Sequence, residues 1–359
     1  MEAAVAKLEG ARMKILDAAD TALSAPAAGA APAAAAAPRV GRTLDYLPIG
    51  LFGAVMALTG LSIAWHLARL RFGAPGWIAE SLAVAAVLAF LLLSGAYAIK
   101  ILAAPDVVKA EFAHPIVGNL FGTYLVSLLL LPIVIAPLSL WLARAFWIVG
   151  AVAMLFFAWF KVDRWLADRQ QLQQATPAWI VPVVGLLDVP LAIPSLALGP
   201  MHGVMVLALA VGVFFAVPLF TLIFSRLLFE PPLPDALQPT LMILLAPSAV
   251  ATSTYFVTTG EIDLFAQSLY ALTLFLLLVL VGRFRYLGQC CPFRVSWWAV
   301  GFPLAAAAIA SLRVAAAFPA WTTDTIAVLL LALATGTILW LAWRTLSGIA
   351  RGELRKLSS

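Results

Sequence analysis

Four residues of this sequence stand out against their apolar surroundings: Asp188, Arg313, Phe302 and Pro303. A charge deep in a membrane span costs roughly 2.5–3.5 kcal/mol on insertion scales, so each one needs a reason. Asp188 lies in Leu187-Asp188-Val189-Pro190. It can be a protonated group bonded to backbone that prolines such as Pro190 leave free, or a titrating one that couples a proton to transport. Arg313 follows Phe302 by eleven residues, about 20° away round an α-helix. It either shares the ring's face and concentrates anions at an outer mouth, or snorkels to the interface. Phe302 stands next to the helix breaker Pro303 and ahead of a run of alanines. A large ring among small neighbours suits a plug in a narrow conduit; it equally suits a kinked, closely packed helix.

Uncharged polar groups recur at helical spacing. Asn119, Thr123 and Ser127 fall at i, i+4 and i+8 and share one stripe, with Gly118 and Gly122 as a small-xxx-small pair. Ser248, Thr252, Tyr255 and Thr259 repeat the pattern. Such stripes either line a conduit or join helices by hydrogen bonds worth about 0.6–2 kcal/mol each.

Other chemistries lack their parts. His66, His114 and His202 are the three histidines, without metal-ligand spacing. No nucleophile elbow, His-Glu-x-x-His or Walker sequence occurs, so neither an enzyme nor a nucleotide-driven pump can be assembled, and no cofactor is implied. The net charge of +5 is scattered over loops, which reads as topology and not as a nucleic-acid site. Cys290 and Cys291 are adjacent and are expected to be reduced thiols in a cytoplasmic loop.

The elements that must position these residues are membrane spans. The chain is 64% hydrophobic and 11% charged, against roughly 25% charged in soluble domains. The expected fold is an all-α integral membrane protein of ten transmembrane helices: 47–67, 78–103, 117–136, 138–160, 178–198, 203–224, 238–257, 262–284, 297–317 and 322–346. Residues 1–46 form an Ala/Pro-rich tail, 47–346 the spanning domain and 347–359 a second tail. Of the 22 Lys and Arg, 18 fall on the side of the termini and four, Arg69, Arg71, Arg144 and Arg313, on the other. That bias makes both termini cytoplasmic. Trp297 and Trp298 are expected in an aromatic belt.

The spans alternate in character. The odd ones are 20 or 21 residues long and carry Pro48, Pro132, Pro182, Pro190, Pro194, Pro247 and Pro303, whereas the even ones, 22 to 26 long, carry Pro218 alone. Broken backbone is tolerated at membrane depth where it is buried in protein or lines a watery cavity. The odd helices are therefore expected inside and the even ones outside, as five helical hairpins around a central conduit.

The chain resembles the bacterial tellurite-resistance channel and its relatives, the slow-type guard-cell anion channels of plants and the yeast malic acid transporters. Six segments in order carry the resemblance: Leu47-Pro-Ile-Gly-Leu-Phe-Gly53, Lys109-Ala-Glu-Phe-Ala-His114-Pro115, Phe229-Glu-Pro, Leu237-Gln-Pro-Thr-Leu-Met-Ile-Leu-Leu-Ala-Pro247, Gly260-Glu-Ile-Asp263 and Trp297-Trp-Ala-Val-Gly-Phe302-Pro. The resemblance implies a homotrimer in the bacterial inner membrane, each protomer with its own pore of five inner helices. It implies that Phe302 occludes that pore and that Gly53 lies against it. It also implies a gated channel for small monovalent anions, with proton-coupled transport of four-carbon dicarboxylates or tellurite as the alternative. Asp188 is a departure from the family pattern. A third reading is a scaffold or sensor acting through residues 1–46.

Overall fold

The computed structural model describes residues 44–358, without the side chains of 283–290. The expected tail up to residue 43 and the side chain of Cys290 lie outside the described residues. Among the described residues ten helices are long and apolar enough to cross a membrane, and no strand is present. They are α1 (Ile49–Phe72), α2 (Gly76–Ala103), α3 (Val117–Ile135), α4 (Leu140–Ala167), α5 (Pro177–Ser195), α6 (His202–Phe229), α7 (Gln238–Thr259), α8 (Leu264–Gly282), α9 (Val295–Ala317) and α10 (Trp321–Ala350). The chain is an all-α, multi-pass membrane protein.

The helices sort into two shells. Between 67% and 83% of each odd span is buried, against 22% to 33% of each even span. Every outer span is also more hydropathic than every inner one. That order reverses the soluble pattern, because lipid tails accept leucine as readily as a protein core does. The inner helices touch in a cycle, α1 on α3, α3 on α5, α5 on α7, α7 on α9 and α9 back on α1. Each is backed by the outer helix that follows it in sequence.

Small residues let the inner ring close. A Cβ added at Gly301 of α9 would lie 2.7 Å from that of Ala57 of α1, and one at Gly60 of α1 would lie 3.0 Å from that of Ala305 of α9. Backbones approach closely only where side chains are missing or short.

All five inner helices begin as 3-10 segments: Ile49–Phe52, Val117–Leu120, Pro177–Ile180, Gln238–Leu245 and Val295–Val300. Prolines supply much of the cause, since each removes an N–H and blocks the i→i−4 ladder. In α5 the effect repeats. Pro182, Pro190 and Pro194 break it into single α and 3-10 turns that alternate through Ser195.

Two expectations are corrected. Trp297 and Trp298 are buried, not in a belt. Trp298 donates its Nε1–H to Thr345 Oγ1 of α10 at 3.0 Å, and Trp297 stacks edgewise on Trp340. They open an inner helix, and α10 covers them. Exposed tryptophans stand elsewhere, among them Trp77, Trp141 and Trp321 at the starts of α2, α4 and α10 and Trp159 and Trp343 further along α4 and α10. Cys291 is buried and disulfide-bonded instead of a reduced thiol.

Polar anchors set the ends of the spans. On the α7–α8 turn, Asp263 accepts from Tyr255 Oη at 2.6 Å and from the N–H groups of Phe265 and Ala266 at 3.0 Å each. The tyrosine hydroxyl foremost, and these N–H groups with it, hold the Asp263 carboxyl below the usual carboxylate range. Glu111, on the short helix Pro105–Ala113, is the more buried anchor. One oxygen accepts the Ile49 N–H at 2.8 Å; the other accepts from Lys100 Nζ at 2.6 Å and Tyr97 Oη at 3.0 Å. Lys100 also donates to the Leu47 carbonyl at 2.6 Å. One carboxylate thus ties the first turn of α1 to α2.

Breaking a buried pair leaves a charge uncompensated, at a cost of roughly 3–5 kcal/mol. Glu111→Ala should lower the detergent melting temperature by an amount in keeping with that loss. A melt at the wild-type temperature would show that the clamp does not hold α1.

Candidate functional site: a passage inside the inner helices

The ring of inner helices encloses space. A cavity of about 330 Å3 is bordered by residues of all five inner helices, of the stretches leading into them, and of the C-terminal turn. No outer span contributes to it. Most of its wall comes from the 3-10 ends and the turns just beyond them, with Gly50 and Gly53 of α1, Thr123 of α3, Asp188 of α5, Thr240 of α7 and Trp298 of α9. Leu357 and Ser358 also border it. The C-terminal turn Leu354–Ser358 folds back beyond Gly352, whose φ of 71° permits the reversal. Leu357 sits over Gly348, and Arg355 lies 3.7 Å from Asp45.

A smaller cavity of about 50 Å3 is again bordered by the five inner helices alone, with Ser253 of α7 and Arg313 of α9 on its wall. Two residues border both cavities: Phe302 and Val250. The Phe302 side chain is 7% exposed. It lies against Gly60 of α1, where an added Cβ would come within 3.6 Å of the ring and 3.0 Å of Ala305. Phe302 and Arg313 both border this smaller cavity.

The other residues singled out in the sequence divide between wall and packing. Gly53, Thr123, Asp188, Phe302 and Pro303 border the larger cavity, and Arg313 the smaller. Asp188 is 2% exposed, and its Oδ1 has no hydrogen-bond partner among the described residues. Asn119, Ser127, Pro190 and Thr252 are buried and border neither. Asn119 donates to the Pro115 carbonyl at 2.8 Å, Ser127 to Thr123 O at 2.8 Å, and Thr252 to Ser248 O at 2.8 Å. Ser248 accepts from Thr273 of α8 at 2.9 Å and faces a separate cavity between α6, α7 and α8. In these places the hydroxyls join helices or satisfy backbone carbonyls.

Sequence reasoning passed over Val250, Ser253 and the C-terminal turn. The first two lie on the face of α7 next to the stripe that was singled out. A helix buried on every side gives no hydropathic signal for which face meets a void.

Arg313 lays its guanidinium over the Phe256 ring, 5.1 Å from the centroid. Lys161 on α4 sets its ammonium over the Phe112 and Phe157 rings, 5.4 Å from each centroid. Among the described residues no three His, Cys, Asp or Glu side chains gather as metal ligands would.

With this geometry in view, the comparison with known families is direct: residues 46–346 match the family described as SLAC1: Voltage-dependent anion channel. The chain belongs to that family. It is 28% identical over 298 residues to the S-type anion channel SLAH3 of Arabidopsis thaliana, covering 80% of this chain and 46% of that protein. The guard cell S-type anion channel SLAC1 of the same plant is 26% identical over 304 residues, 81% of this chain and 54% of its own length. The tellurite resistance protein TehA homolog of Haemophilus influenzae is 26% identical over 269 residues, 73% and 79% of the two chains. The chain spans about half the length of the plant relatives it matches. The family is one of anion channels and not of enzymes.

Two glycines on α1 should respond differently to substitution. At Gly53 an added Cβ meets nothing nearer than 3.6 Å, whereas at Gly60 it meets the Ala305 Cβ at 3.0 Å. Gly53→Ala should melt within about 0.5 kcal/mol of wild type, and Gly60→Val should lose about 1–3 kcal/mol to overpacking. Equal losses would mean that α1 and α9 are not apposed as described.

Proposed function

We propose that this chain is a gated channel for small monovalent anions, whose passage runs through the two cavities and is stopped by the Phe302 ring. The observation that carries this reading is that Phe302 stands on the wall of both cavities, each bordered by all five inner helices. The walls are mostly apolar, with a few hydroxyls and the separate charged residues Asp188, Arg294 and Arg313 but no ring of fixed charge. Such a wall binds ions weakly, and weak binding lets them leave, as conduction requires. The ring's edge carries a slight positive potential. Tilting it about 30° off its rotamer costs roughly 0.5–1.5 kcal/mol, small enough for a regulator to supply. Gly60, which has no side chain, is on the side where such a ring could move. The plant and bacterial relatives, named for anion transport and tellurite resistance, support the same class.

In this reading residues 47–346 are the conducting domain, set in a bacterial inner membrane between two cytoplasmic tails. Helical hairpins are the repeat, and three copies assemble, each with its own passage. Gly53, Thr123, Asp188 and Pro303 line the way to the ring. Arg313 draws anions at the far mouth.

A second reading, proton-coupled transport of four-carbon dicarboxylates or tellurite, rests on Asp188. Its carboxyl borders the larger cavity with one oxygen unpartnered. A neutral acid tolerates an anion beside it; an ionised one repels it.

Both readings are tested in proteoliposomes and planar bilayers. As a channel, Phe302→Ala should raise anion current roughly five- to tenfold, about 1–1.4 kcal/mol of lost occlusion, without dependence on a pH gradient. Current at the wild-type level would remove Phe302 as the gate. As a carrier, the wild type should show saturable flux that follows the pH gradient and fails in Asp188→Asn.

A further inference from the structure

The small cavity beyond Phe302 has features that a packing gap lacks. Its volume of about 50 Å3 exceeds the ~30 Å3 that one water occupies in the liquid. Two buried donors on its wall have unused capacity. Ser253 is 2% exposed and its Oγ has no partner among the described residues. Arg313 Nε is likewise buried without a partner. The guanidinium is steadied over Phe256, so its position is set by stacking and not by an acid. Among the described residues no carboxylate pairs with it. Asp188, the acid on the passage, borders the other cavity, across Phe302.

A guanidinium can only donate, and a serine hydroxyl can donate too. Two donors, one positive charge and no acid to neutralise it make an environment that an anion completes. The remaining wall includes Gly60, Ile133 and Ile309 and offers nothing to replace a hydration shell. We infer that the space between Ser253 and Arg313 is a binding site for one small, weakly hydrated monovalent anion of halide or nitrate size. Its place in conduction rests on the reading above: it would be the last resting point on the far side of the ring. One positive charge in so small a space suits a monovalent ion better than a divalent anion or a four-carbon dicarboxylate. Selectivity at this site then follows the ease with which each ion sheds water.

Bromide is a suitable probe. The full chain should be crystallised in bromide and examined at the bromine absorption edge, with bromide-dependent melting measured beside it at constant ionic strength. The wild type should show an anomalous peak between Ser253 and Arg313 and should melt higher in bromide than in gluconate. Ser253→Ala, which deletes a single oxygen, should weaken bromide about tenfold, and Arg313→Gln should abolish the peak. No anomalous peak in the wild type, density there without an anomalous signal as water gives, or a peak that persists in Arg313→Gln would overturn the assignment. Bromide binding with no current in Phe302→Ala would leave the site standing and the gate reading fallen. The opposite pair of results would leave the gate standing without the site.

Discussion

A peptide group facing hydrocarbon must find its hydrogen bonds within the protein, and the rest of this molecule follows from where that rule can be relaxed. Regular helices obey it unaided, so α2, α4, α6, α8 and α10 can face lipid with long, highly apolar runs. Proline-broken helices cannot obey it alone. They are tolerated where neighbours or a watery space satisfy what the ladder leaves open. The chain places them in the inner shell, where the five odd helices meet in a ring. The breaks that force these helices inward also give them their 3-10 ends, and those ends form much of the wall of the larger cavity.

The inner shell closes for a second reason, the shortage of side-chain volume between backbones. Gly60 lies against Ala305, and Gly301 against Ala57, so α1 and α9 approach closely. Close approach leaves the Phe302 ring against Gly60 and on the walls of both cavities. The Glu111 carboxylate then determines where α1 begins, through its hold on the Ile49 N–H and on Lys100. The start of α1 is thus set by Glu111 and Lys100, which border neither cavity.

Much of this was legible in the sequence because the signals were local. Proline content and run length separated inner from outer helices, and the boundary of α3 at Val117 was placed where the structure has it. Half of the boundaries moved outward, as the end of α4 did to Ala167, because helices outlast their hydrophobic runs. The wall of the larger cavity was legible only in part. Thr123 lies on it, while Asn119 and Ser127 of the same stripe are turned to carbonyls. A polar side chain buried against backbone and one buried against a void look alike in a string of letters. Val250 and Ser253 were hidden for the converse reason, that nothing in an all-buried helix marks the face next to empty space. Trp297 and Trp298 misled because a belt and a covered helix start use the same residue type.

The central claim is that the two cavities are one passage interrupted by a single side chain. The measurement that meets it most directly is a high-resolution structure of Phe302→Ala in a lipid nanodisc. The account predicts that the spaces of about 330 and 50 Å3 join into one water-filled path along the inner helices, with Val250 at its waist and the ring of helices unmoved. Two cavities still parted by packed side chains, or an inner ring collapsed onto the vacated volume, would contradict it.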